Sequence, residues 1–86
     1  MRDNLPGGMT IADFGKRIGW GRGTKAAQAR MKALTIKELQ AIGLQLAQAE
    51  NWAIAYEAVK RLAPNNPSAA GRAELMRHAA RLLEKE

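Results

Sequence analysis

The chain contains no cysteine. That removes a disulfide framework, a thiolate nucleophile and any cysteine-based metal site, and leaves folding to apolar packing. Histidine occurs once, as His78, and serine once, as Ser68. Three or four convergent metal ligands, or a hydroxyl triad, are therefore hard to assemble. No apolar run approaches the ~18 residues that a membrane-spanning helix needs. The start, M-R-D-N-L-P-G-G-M-T, lacks the apolar stretch of a signal peptide. A soluble domain is expected, cytoplasmic as an isolated chain. Aromatic residues number four: Phe14, Trp20, Trp52 and Tyr56. Negative charge is also scarce where it matters. Between Lys16 and Lys37 there are seven basic residues and not one acidic residue.

What is present is a small basic chain of 86 residues with a net charge of +6. A single domain of this size buries roughly 60–65% of the surface that its unfolded form exposes, enough for one modest core. The charge is one-sided: residues 1–43 carry a net +5 and residues 44–86 a net +1. A positive field of this kind suits a polyanion such as nucleic acid, an acidic protein or an anionic surface. It also suits a solvated face that serves solubility alone.

Helical periodicity organises the chain, and no alternating strand pattern is found. Residues 1–9, closed by Pro6-Gly7-Gly8, read as a disordered tail before one helical domain over 10–86. Thr10 caps a first helix with Asp13 in its first turn; Ile11, Phe14 and Ile18 form the inner face, and Gly19 ends it. Thr24 is the expected cap of a second helix through about Ala33, with Ala27, Met31 and Leu34 inward. Thr35 and Glu38 form a capping box, and Leu34 and Leu39 the matching hydrophobic staple, of a short third helix stopped at Gly43. A long fourth helix follows to Pro64, with Trp52, Ala55, Tyr56, Val59 and Leu62 as its apolar stripe. Asn66 as cap and Pro67 as first residue start the fifth helix, with Ser68 as an alternative cap. Its inner face is Leu75, Ala79, Leu82 and Leu83, and Gly71 marks either a late start or a close helix crossing. The expectation is all-α: a compact bundle of about five helices with a glycine-rich turn between the first two.

That turn, G-W-G-R-G at 19–23, is the best candidate for chemistry. It precedes a helix start, where unpaired amides and the helix dipole attract anions. Gly19, Gly21 and Gly23 would let backbone approach a phosphate, with Arg17, Arg22, Lys25, Arg30 and Lys32 supplying charge. Trp20 is either a core residue locking two helices or a base-stacking platform. No P-loop or dinucleotide fingerprint is present. Catalytic candidates reduce to His78, Glu74 four residues before it on one helix face, and Arg72. No metal and no cofactor are implied.

Gly19-Trp20-Gly21, followed by Lys25 and Ala26, resembles in part the glycine–apolar–glycine turn of helix-hairpin-helix DNA-binding modules. L-T-I-K-E-L-Q-A-I-G-L is similar to a helix-turn of those modules and of sterile-alpha-motif domains. A wider resemblance runs through T-I-A-D-F-G-K-R-I-G-W-G-R-G, L-Q-A-I-G-L and N-N-P-S-A-A-G-R-A-E-L-M, over residues 10 to about 83. These segments look like a family of short bacterial domains of unknown function, some at the C-terminal ends of larger secreted proteins. That resemblance implies a self-contained module, delivered in some cases by a larger protein. It makes Asn66, Ser68, Arg72 and Glu74 candidates for a polar site beside the glycine turn. Three functions stay open: a non-catalytic module binding nucleic acid or another polyanion, an effector or toxin domain with enzymatic and even nuclease activity, and a protein-interaction domain.

Overall fold

The computed structural model describes residue 5 and residues 9–85. Among these described residues five helices make an all-α bundle: α1 (Ile11–Ile18), α2 (Gly23–Ala33), α3 (Ile36–Ile42), α4 (Leu46–Leu62) and α5 (Ala69–Glu84). α5 is the hub, packed against α4 most extensively and also against α2 and α3. The Cα radius of gyration, 11.8 Å, equals the value of about 12 Å for a fully packed chain of this length.

Local chemistry sets most of the helix ends. The Thr10 hydroxyl accepts the Asp13 N–H at 3.1 Å, and Gly19 closes α1 in the left-handed region at φ 75°. Thr35 accepts the Glu38 N–H at 3.3 Å at the start of α3, and its staple partners Leu34 and Leu39 are both buried. Gly43, at φ 86°, ends α3 as expected. For α5 the regular helix begins at Ala69, two residues later than Pro67. Asn66 nevertheless makes the bonds of a cap, its Oδ1 accepting the N–H groups of Ser68 (2.9 Å) and Ala69 (3.2 Å).

Several expectations are corrected. α2 starts at Gly23, with Arg22 in the capping position and no side-chain cap of its own. Thr24 is instead a cross-link: its Oγ1 donates to the Pro67 carbonyl at 2.9 Å and accepts the Gly71 N–H at 3.3 Å. The cap for α2 comes from 45 residues away, where Ser68 Oγ accepts the Gly23 N–H at 2.9 Å. Gly71 is a close crossing, since a Cβ there would stand 2.6 Å from Thr24 Cα and 2.9 Å from its carbonyl oxygen. Leu62 is 86% exposed and does not extend the α4 stripe; the buried face is Ala49, Trp52 and Ala53, and the last turn stands clear of the core. Ile11, 52% exposed, lies outside the core that Phe14 and Ile18 fill. Of the expected tail, residues 1–4 and 6–8 lie outside the described residues. Leu5 is buried in the core and Met9 packs against it, so these two belong to the packed domain.

The core is organised by all four aromatic side chains. Phe14 stacks on Trp52 (centroids 5.3 Å, 18°), and Trp52 on Tyr56 (5.9 Å, 21°). Trp20 meets the three others edge-on at 5.4–5.6 Å. Such pairs add about 0.5–1.5 kcal/mol each beyond the area they bury. They pin the glycine turn to α1 and α4.

Candidate functional site

Five residues, Gly19 to Gly23, must carry the chain from α1 to α2 while Trp20 turns inward to the aromatic cluster. The backbone does this with three positive φ angles in alternation: 75° at Gly19, 61° at Gly21 and 82° at Gly23. Any side chain at these positions would be strained. The glycines thus answer to the need to bury Trp20, which is 5% exposed. With its ring contacts taken by Phe14, Trp52, Tyr56 and Arg72, Trp20 is a core residue rather than a stacking platform.

Arg72 of α5 completes the turn. Its guanidinium carbon lies 4.7 Å from the Trp20 ring centroid and 5.7 Å from that of Tyr56. One terminal nitrogen donates to the Gly21 carbonyl at 2.9 Å, and the other to the Tyr56 hydroxyl at 3.2 Å. Its Nε is buried with no hydrogen-bond partner. An unmet buried donor of this kind costs about 1–3 kcal/mol.

Beside this assembly opens a cleft of about 610 Å³. Ile11, Ala12, Gly15 and Lys16 form its α1 wall; Gly19, Trp20, Gly21 and Arg22 form the turn wall; Arg72 comes from α5. Three cations from three segments line it, and among the described residues no carboxylate does.

The sequence-predicted residues divide clearly. Gly19, Gly21 and Arg22 line the cleft. Gly23 lies beside it, but its amide is committed to Ser68. Arg17 is exposed on α1 outside the lining. Arg30 is spent internally: Nε donates to the Ile18 carbonyl at 2.8 Å and a terminal nitrogen pairs with Glu38. The hydrogen bond from Arg30 holds the Glu38 carboxyl below its usual range. Lys25 and Lys32 border a second depression, of about 390 Å³, together with Glu74.

The candidates drawn from N-N-P-S-A-A-G-R-A-E-L-M split in the same way. Ser68 and Arg72 both bond to the glycine turn, whereas Asn66 caps α5 and Glu74 is exposed at the other depression. His78 is half-buried, and among the described residues no ion pair joins it to Glu74. Arg72, Glu74 and His78 therefore do not converge on one site. Lys16, Ile11 and Gly15 were not singled out as site residues. Helical spacing sets them on one face of α1, and only the tertiary placement of α5 brings that face together with Arg72. Among the described residues no group of His, Asp and Glu could hold a metal ion, and no helix is long and apolar enough to cross a membrane.

Fold and cleft together define a small all-α domain built around an aromatic-clamped glycine turn. The chain belongs to the family described as Domain of unknown function (DUF4951), whose model matches residues 3–83. No curated protein and no solved structure matches it.

Proposed function

We propose that this domain is a binding module whose basic face, residues 16–37, engages a polyanion, with nucleic acid as the partner. One observation carries the reading. Lys16, Arg17, Arg22, Lys25, Lys32 and Lys37 are all exposed, while the nearest following carboxylate, Glu38, is already neutralised by Arg30. Apart from Lys25 and Lys32, which share a depression with Glu74, this charge stands in solvent, where it is available to phosphates. The separation of Arg72, Glu74 and His78 favours binding over catalysis.

The test is a salt-titrated gel shift with duplex DNA, single-stranded DNA and structured RNA, read for cleavage as well as retention. Five to six phosphate contacts from these cations give log K against log salt a slope of about −4.5 to −5.5 on duplex DNA. Reversing charge at Arg22 and Lys25 (R22E/K25E) should flatten that slope by about 2. The changes place acid at the N-cap and in the first turn of α2, where the helix dipole tolerates it, so the fold is kept. A salt-insensitive complex would overturn the reading in favour of protein interaction. Cleaved product that survives repurification would overturn it in favour of an effector enzyme.

A further inference from the structure

Arg72 is the charge that packing explains least. A guanidinium has five N–H donors in a rigid fork; here one terminal nitrogen serves Gly21, the other Tyr56, and Nε serves nothing. Clamped over Trp20, the group cannot swing away to solvate itself. It lines an open cleft with Lys16 and Arg22 at hand and, among the described residues, no carboxylate to neutralise the three. A volume of about 610 Å³ lies in the range of small-ligand sites.

We infer that this cleft is a phosphate site that takes the phosphate of a phosphomonoester. Three cations approaching from α1, the turn and α5 suit a tetrahedral group with a charge near −2 and three free oxygens better than a flat monoanionic carboxylate. Arg72 is the preorganised donor through the spare N–H groups of its terminal nitrogens, its Nε being buried, and its orientation is fixed by the aromatic ring and two hydrogen bonds before any ligand arrives. Lys16 and Arg22, both exposed, close on the remaining oxygens. Ile11, half exposed at the rim beside Ala12, offers an apolar wall to the carbon part of the ester. The indole nitrogen of Trp20 lies against Gly15 on the same wall, 2.8 Å from where a Cβ of residue 15 would be. The inference deepens the polyanion reading and rests on it for the source of the phosphate: a strand terminus or a free nucleotide.

The experiment follows two side-chain signals in ¹H–¹⁵N spectra, Arg72 Nε–H and Trp20 indole N–H. The probes are sodium phosphate, adenosine 5′-monophosphate, and a short DNA strand with and without a 5′ phosphate, with sodium chloride as the ionic-strength control. Saturable shifts of both signals by the phosphomonoesters, absent with chloride, are expected. Lys16→Gln with Arg22→Gln should weaken saturation about tenfold or more for each charge-assisted bond lost. Arg72→Lys should abolish it; if that variant fails to melt cooperatively, the Lys16/Arg22 pair decides. Saturation by the phosphorylated strand alone assigns a strand terminus, and saturation by the mononucleotide as well assigns phosphomonoesters in general. Shifts that track chloride, or saturation unaltered by Lys16→Gln with Arg22→Gln, overturn the cleft assignment. Salt-steep DNA retention with unmoved Arg72 and Trp20 signals overturns the cleft and leaves the basic face. Saturable phosphate binding without DNA retention does the reverse.

Discussion

Replacing Gly71 by alanine sets two effects of opposite sign against each other. Gly71 is the third residue of α5, and alanine there gains up to about 1 kcal/mol of helix propensity. Against this, the new Cβ would stand 2.6 Å from Thr24 Cα, 2.9 Å from Thr24 O and 3.1 Å from Ala27 Cβ. Two of these neighbours are backbone, so no flexible side chain can yield, and α2 must move off α5. Overpacking of this kind costs about 1–3 kcal/mol. The same movement stretches the bonds Gly23 N–Ser68 Oγ, Thr24 Oγ1–Pro67 O and Gly71 N–Thr24 Oγ1, worth about 0.5–1.5 kcal/mol each. With the crossing lost and the bonds weakened, Gly71→Ala should destabilise the domain by about 2–3 kcal/mol net. At about 4–8 °C per kcal/mol for this size, the melting midpoint should fall by roughly 10–20 °C. Circular dichroism melts and urea titrations of the two chains measure the difference. An alanine variant as stable as the parent, or more stable, would refute the reasoning, because propensity would then have won and the crossing would not be tight.

Ser68→Ala should cost about 0.5–2 kcal/mol, with its largest local effect on α2 rather than on its own helix; faster amide exchange at Gly23 than at Ala70 would confirm it. Leu75→Ala should cost about 2–5 kcal/mol as a fully buried deletion, whereas Leu62→Gln, at an exposed position, should stay within about 0.5 kcal/mol in urea titration. Acid should weaken the fold through Glu38 and Glu57, whose carboxyls are held below their ordinary range by hydrogen bonds from Arg30 and Arg77. Their depressed values make this contribution complete above the unfolded value. It is lost as pH falls through the folded one, so stability should drop from about pH 5 downward. Removing one partner with Glu57→Gln should shrink that drop, which stability curves at several pH values would show. Both pairs are solvent-accessible, and salt should reduce their share.

How much was legible depends on how local the cause was. Thr10, Gly19, Thr35 and Gly43 set helix ends through bonds within a few residues, so residue type and spacing sufficed. Thr24 was misleading because it has the chemistry of a cap while its partners, Pro67 and Gly71, lie on the far side of the sequence. Leu62 continued the period of α4, but periodicity does not say where the neighbouring helix ends. Arg30 counted as free charge in the sequence and is consumed by Ile18 and Glu38. The cleft was half visible: the glycines and Arg22 were legible as a turn with charge. The role of Arg72, and with it that of Lys16 and Ile11, needed the tertiary placement of α5 against the glycine turn.

The hydrogen bond from Gly23 to Ser68 joins positions 45 residues apart, and its consequence concerns how the molecule comes into being. During synthesis α2 leaves the ribosome with an uncapped start and with Thr24 unengaged. The groups that hold them, Ser68, Pro67 and Gly71, emerge only with the start of α5. The same helix brings the buried Leu75, Met76 and Ala79 and the cation seated on Trp20. A chain stopped before Ser68 would therefore lack the cap, the clamp and the α5 share of the core together, and no stable subdomain is expected to gather ahead of them. The five helices should form in one concerted step, late and all at once. Severed in the exposed loop at 63–67, the two pieces should recover the native state only by finding each other.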